Sequence, residues 1–200
     1  MFSVIIPTIW KSARIIKLLS DLNSSKNVGE IIVINNNKQN TPIIETNSKK
    51  FRLITPETNI YVNPSWNLGV REAKYDNIAL CNDDINFNTN IFSYLKPKDD
   101  SLIGIDDSCY KIEKDTQYQL MINKKLNYGF GCLLIFNKNS YKPIPETLKI
   151  WFGDNFLHKN TKNVYSLLGL KIETEMSSSQ TIPEYYSLVE QDKINFAKLG

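Results

Sequence analysis

Asn82-Asp83-Asp84 carries more chemical potential than any other tripeptide in this chain. The two adjacent carboxylates follow an apolar run, Asn77-Ile78-Ala79-Leu80-Cys81. There they repel each other and lose hydration unless a cation or hydrogen-bond donors offset them. A hard divalent ion, Mn²⁺ or Mg²⁺, takes one or two carboxylates together with substrate phosphates, so the pair is a candidate ion site. The same residues also suit an acidic turn that caps the next helix. A third carboxylate, Asp154, sits in Ile150-Trp151-Phe152-Gly153-Asp154-Asn155-Phe156. It is either a helix N-cap beneath a hydrophobic lid or a general base whose surroundings raise its pKa toward neutrality. His158, the only histidine, falls four residues later on the same expected helix face and reads as a surface or supporting residue rather than a metal ligand.

Other polar and aromatic residues could complete a site or serve structure alone. Asn67-Leu68-Gly69 and Arg71 open the helix before the acidic strand. Arg71 could reach a phosphate or lie solvated on a helix face. Trp10 and Trp66 could stack on a base, although core packing suits Trp66 better. The amides of Asn35, Asn36 and Asn37 could hold a base or ribose, or simply form a turn. Tyr128-Gly129-Phe130-Gly131 has glycines that let backbone approach a ligand, or make a tight turn.

The elements that must position these residues alternate. Phe2 to Ile6 is a continuous apolar run ended by Pro7, as in a strand covered on both faces. Ile15, Leu18, Leu19 and Leu22 form one helical stripe. Glu30 to Ile34 reads as a second buried strand, Phe51 to Thr55 as a third, and Asn77 to Cys81 as a fourth, with a helix capped by Ser65 and running through Trp66, Val70 and Ala73 before it. This alternation predicts a three-layer α/β domain with a mostly parallel sheet. Right-handed crossovers would then bring Pro7-Thr8, the Asn35 cluster and the Asp83 pair to one edge, where ligands of such sheets bind. Beyond residue 100, strands are expected over 102–105, 118–122 and 131–136. A short helix at Val164, Leu167 and Leu168 closed by Gly169, a last strand over 170–174 and a last helix from about Ile182 to Lys198 follow.

Composition limits the function classes. With 42% hydrophobic and 22% charged residues the chain is globular, and a domain of 200 residues buries about 70% of its unfolded surface without staples. The net charge of +3 suits an anionic ligand such as a nucleotide, but there is no dense basic block of the kind that marks nucleic-acid binding. Cys81, Cys109 and Cys132 form no CxxC pair, which argues against zinc and a disulfide framework and for a reducing compartment. The opening apolar run is too short for a signal peptide, and no stretch approaches a membrane span, so a soluble, cytoplasmic protein is expected.

In order along the chain, the motifs are strand-Pro-Thr, a strand ending in polar residues, an Asn-x-Gly helix, a strand ending in Asn-x-Asp, a Gly-rich strand and aromatic-Gly-Asp. This order resembles family-two GT-A glycosyltransferases across about residues 2 to 175. Phe2 to Thr8 looks like that family's opening strand, Asn82-x-Asp84 like its Asp-x-Asp motif, and Trp151-Phe152-Gly153-Asp154 like its catalytic-base segment. Val62-Asn63-Pro64-Ser65-Trp66-Asn67-Leu68-Gly69 resembles the small versions found in large DNA viruses and phages, for which the compartment would be the host cytoplasm. Three positions depart from the family pattern: Asn82 stands at the first acidic position, Asn35 where an acidic residue is frequent, and Thr174 to Ser178 offer no late histidine.

The resemblance implies one GT-A domain over 1–200, with a nucleotide-binding half (1–100), an acceptor and catalytic half (101–175) and a C-terminal helix (176–200). It implies an inverting transfer from a nucleotide-diphosphate sugar, UDP-sugar favoured, to a hydroxyl of a glycan or glycoprotein. Asp84 would hold Mn²⁺ or Mg²⁺, and Asp154 would act as base. Pro7, Thr8, Trp10, Asn35, Asn67, Arg71, Asn82 and Asp83 would bind the donor. A nucleotidyltransferase of similar fold would carry a Gly-rich loop where this chain has Pro7-Thr8-Ile9-Trp10, and GxxxxGK[ST] is absent. A degenerate sugar-nucleotide-binding or protein-interaction domain is the non-enzymatic alternative. The ending at Leu199-Gly200, directly after the expected last helix, is compatible with further domains in a longer enzyme.

Overall fold

The computed structural model describes residues 1–42, 48–175 and 183–200. Its first half runs β1 (Phe2–Thr8), α1 (Arg14–Ser24), β2 (Val28–Asn35), β3 (Phe51–Ile54), α2 (Val62–Glu72) and β4 (Asn77–Cys81). The second half continues with β5 (Ile85–Asn86), α3 (Ile91–Tyr94), β6 (Ser101–Ile105), β7 (Gln119–Ile122), β8 (Leu133–Asn137), α4 (Gly153–Asn160), β9 (Asn163–Leu168), β10 (Glu173–Thr174) and α5 (Tyr185–Ala197).

Eight strands make one sheet in the order β3-β2-β1-β4-β8-β6-β9-β7, and β10 pairs with β5 in a small second sheet. The first four strands are all parallel. β8 then runs antiparallel between β4 and β6, β9 lies parallel to β6, and β7 closes the edge antiparallel. Every residue of β1 is buried, because helices cover both faces of the parallel block. On one face Val4, Ile6, Ile31 and Val33 meet Ile15, Leu18, Leu19 and Leu22, the stripe read from the sequence. On the other, Ile5, Ile32 and Ile34 meet Trp66 and Val70 of α2 and Leu157 of α4. The sheet is thus the middle of three layers.

The N-terminal edge of the parallel block holds a buried carboxylate. Glu30 accepts from Ser3 Oγ at 2.7 Å, Lys74 N at 2.8 Å and Arg52 Nη1 at 2.7 Å. Burial alone would push its pKa up, but these donors and the Arg52 charge hold it below the usual carboxylate value. All three cysteines are buried and none is in a disulfide.

Several sequence expectations fail locally. Residues 163–168 form β9, not a helix: Val164 and Leu167 are buried between β6 and β7, so strand pairing overrides a spacing that also fits a helical turn. Ser65 lies inside α2, its hydroxyl donating to the Tyr61 carbonyl, and the cap position is Tyr61 with no side-chain cap bond. The strand placed at 131–136 begins two residues later, after a 3₁₀ turn at Phe130–Cys132. The strand expected at 170–174 is only β10, and the last helix starts at Tyr185; residues 176–182, including its expected start and most of the segment Thr174 to Ser178, lie outside the described residues.

Candidate functional site

The parallel strands β1 and β2 end in register, Thr8 opposite Asn35, and Asn36 N donates to Thr8 O at 2.8 Å. β4 runs beside β1 and delivers Asn82-Asp83-Asp84 to the same edge. Thr8 Oγ1 donates to Asp83 Oδ2 at 2.6 Å, which ties the two strand ends together. Asp83 and Asp84 are only 7% and 4% exposed. Burial is the main reason the Asp83 pKa is pushed up to about 7; the Asp84 charge adds to it, and the Thr8 hydroxyl and a backbone N–H oppose it.

The third carboxylate arrives from a helix start. Phe152 adopts a left-handed backbone, φ 64°, and turns the chain into α4. Such a conformation costs a non-glycine residue on the order of 1 kcal/mol, so surrounding contacts must hold it. Two glycines let the segment dock closely. A Cβ on Gly153 would lie 2.1 Å from Asn63 Oδ1, and one on Gly131 would lie 2.9 Å from the Asp154 side chain. Asp154 is in the first helical turn rather than at the cap, and its Oδ1 accepts from Asn155 N at 2.9 Å. Enclosure raises its pKa, while His158 one turn on pulls the other way. His158 itself bonds Asn123 Oδ1 at 3.1 Å and packs edge-on to Phe130, a supporting role.

These carboxylates share a cavity of about 270 Å³. Pro7, Asn82, Asp83 and Asp84 line it together with Asp154, Trp151, Ile150 and Tyr185. Trp66, although buried in the core, also forms part of the wall, as do Tyr128, Gly129 and Gly131 of the glycine-bearing segment. Arg14 and Ser12 lie outside it, bonded to Glu173 and Glu175.

Not every predicted site residue reaches this cavity. Thr8 stands behind it, holding Asp83. Trp10 and Asn35 bond each other, Nε1 to Oδ1 at 2.8 Å, and the Asn35 amide donates to Thr41 Oγ1 at 2.6 Å as well. Asn35 thereby organises the loop after β2. Asn67 is a correction: its oxygen accepts from Tyr141 and Ile144 N, and its nitrogen donates to Ile144 O, so it anchors the 141–144 segment against α2. Arg71 is a second correction, since its side chain is 72% exposed beside Glu72 on the far end of α2.

Sequence reasoning missed the contribution of α5. Asp192 is fully buried and accepts from Lys149 N, Ile150 N and Trp151 N at 2.8, 2.8 and 2.9 Å. Tyr185 OH accepts from Trp151 Nε1 at 3.2 Å, and the Phe196 ring stacks on Phe152 with centroids 4.9 Å apart. A lone Asp in a polar helix gives no sequence signal for such a role.

Among the described residues no group of three or more His, Cys, Asp or Glu side chains could hold a metal ion, and no helix is long and apolar enough to cross a membrane. The donor set around Asp83 and Asp84 still suits a hard cation whose remaining ligands are phosphate oxygens and water, as Mg²⁺ and Mn²⁺ sites commonly are.

No family model matches the sequence, and no curated protein does either. Solved structures do. The chain is similar to S. aureus TarS (residues 1–349), with 16% identity and a TM-score of 0.58, covering 82% of this chain and 57% of that one. It is similar to GalNAc-T7, crystallised with UDP, GalNAc and Mn²⁺, at 14% identity and a TM-score of 0.67, covering 95% of this chain and 47% of that one. It is also similar to HddC from Yersinia pseudotuberculosis, at 18% identity and a TM-score of 0.56, covering 97% and 100% of the two chains. One TarS structure is a complex with UDP-GlcNAc. The chain therefore has the GT-A-type fold, and it spans about half the length of the TarS and GalNAc-T7 chains.

Proposed function

We propose that this chain is a metal-dependent glycosyltransferase that moves a sugar from a nucleotide-diphosphate donor, a UDP-sugar in preference, to an acceptor hydroxyl with inversion. The observation that carries this reading is that Asp83, Asp84 and Asp154 line one cavity at the C-terminal edge of a parallel sheet. Ligands bind at that edge in open α/β sheets. Similarity to folds solved with UDP and UDP-GlcNAc adds weight to a nucleotide-sugar donor.

Asp84, with Asp83 beside it, would hold Mn²⁺ or Mg²⁺ against the donor diphosphate. When bound, the cation supplies charge that offsets the negative charge growing on the leaving nucleotide. Thr8 fixes the Asp83 carboxylate by its 2.6 Å hydrogen bond, which orients the pair for donor and cation together. Asp154, which lines the same cavity, takes the acceptor hydroxyl proton. Its enclosure raises its basicity, which suits that task near neutral pH. Trp151, Tyr128 and Tyr185 line the acceptor side, and a glycan or glycoprotein hydroxyl would enter there.

Thermal shift with a panel of nucleotide-sugars, with and without Mn²⁺, tests the donor site. A shift that needs one nucleotide, the metal and Asp84 is expected in the parent and lost in Asp84→Ala. Transfer, followed as release of free nucleotide in the presence of acceptor, should fall about 10²–10⁴-fold in Asp154→Asn while donor binding persists. No shift with any donor would favour a degenerate domain, and full transfer by Asp154→Asn would remove that residue from its role.

A further inference from the structure

Ile150 and Trp151 line the cavity, and with Lys149 they form a loop that leads through Phe152 and Gly153 into Asp154. The loop is gripped from two directions. On the α2 side its carbonyls face Asn63, which donates from its backbone N to Lys149 O and from Nδ2 to Trp151 O, both at 3.0 Å. On the other side its three successive N–H groups all point at the one carboxylate of Asp192.

We propose that Asp192 is a positioning residue of this site: by binding the three amides it sets where Trp151 and Asp154 stand, and it makes helix α5 a working part of the acceptor half. The proposal rests on reading the cavity as a sugar-transfer site. Three features support it. First, α5 is mostly exposed, yet this single carboxylate is buried completely. A carboxyl group that takes three backbone donors is strongly held, and removing it orphans all three N–H groups. Second, the next two residues are tied to the same helix, Trp151 through its indole N–H to Tyr185 and Phe152 through its stack on Phe196. Trp151 is 45% exposed, so its ring stands at the cavity rim while its polar atoms are fixed. Third, Phe152 holds a left-handed backbone directly before Asp154, so a relaxed loop would re-aim the carboxylate. Thr8 and Asp83, by contrast, are placed by the ends of the sheet strands.

Asp192→Asn keeps the shape but replaces one accepting oxygen with a donor. The expected result is a fall in kcat of about 10–100-fold and a raised acceptor KM, since a misplacement near 1 Å has effects of that size. The nucleotide Kd, measured by titrating UDP in the presence of Mn²⁺, should stay within about twofold, and amide exchange at Lys149, Ile150 and Trp151 should rise about tenfold or more. Tyr185→Phe, which removes only the Trp151 indole partner, is the milder variant should Asp192→Asn fail to fold; a few-fold rise in acceptor KM is expected there. Asn195→Ala, which unties α5 from Thr147 O at the exposed rim, should leave kcat unchanged and so controls for loosened helix docking. Parental kcat with accelerated exchange, or nucleotide binding weakened as much as transfer, would overturn the proposal. Unchanged exchange in Asp192→Asn would overturn it independently of any activity. If the unsubstituted protein transfers no sugar from any donor, the transferase reading itself fails, a result the amide-exchange arm keeps separate.

Discussion

Glu30 and Asp83 are both buried carboxylates beside strand β1, one at each edge of the parallel block. Glu30 has three donors, Ser3 of β1, Arg52 of β3 and Lys74 N in the turn after α2, and its pKa is lowered. Asp83 has the Thr8 hydroxyl, a backbone N–H and a second carboxylate next to it, and its pKa is raised to about 7. The first arrangement is complete within the chain. The second leaves two like charges side by side, a repulsion that added positive charge would relieve. The fold thus keeps its stabilising charge at one edge and tolerates a destabilising one at the other, as functional sites commonly do.

Replacing Glu30 with Ala should break the comparison most visibly. It removes the acceptor of the Ser3 hydroxyl and Lys74 N–H and leaves Arg52 with Glu72 alone, and should lower unfolding free energy by about 1–3 kcal/mol in urea denaturation. Asp83→Asn should do the reverse. A carboxyl with a raised folded pKa binds more protons when folded, so its stability contribution is highest below its unfolded value of 3.8, declines as pH rises toward about 7, and is level above. With chelator present, Asp83→Asn is therefore expected to be more stable than the parent by about 1–3 kcal/mol at pH 8 and no different near pH 4. Glu30 has the opposite sign: its stabilisation is present above its unfolded value of 4.5 and is lost as pH falls through its lowered folded pKa, so Glu30→Gln should flatten the acid limb only.

Mn²⁺ sharpens the contrast further. It should raise Tm by a few degrees at pH 8 and by less at pH 5.5, where Asp83 is protonated, and Asp83→Asn should shrink the difference between the two pH values. The smallest effect belongs to Arg71→Ala. An exposed helix-end arginine should change stability by less than about 0.5 kcal/mol and leave nucleotide binding alone.

The parallel block was legible because burial on both faces leaves a plain trace: unbroken apolar runs for β1, β2 and β4, and a four-residue stripe for α1. The convergence of Thr8, the Asn35 cluster and Asp83 followed from crossover handedness, which needs only element order. The second half was harder, because its strands alternate direction and their partners are distant in sequence. β9 shows the difficulty, since Val164, Leu167 and Leu168 fit a helical turn until β6 and β7 pair with it. Asn67 and Arg71 were misplaced for a related reason: a motif gives the residue but not which way its helix face points. Asp192 left no trace at all, because what marks it is the three amides of a loop more than forty residues away in sequence.

The three buried thiols have a practical consequence. Cys81 and Cys109 are fully enclosed in the core, whereas Cys132 lies in the cavity wall, and burial raises the pKa of all three. Thiol chemistry needs the thiolate and access, so a reagent such as a disulfide dye waits for the fold to open. The molecule therefore carries its own set of clocks: labelling at Cys132 times the breathing of the cavity, and labelling at Cys81 times the opening of the sheet beneath it.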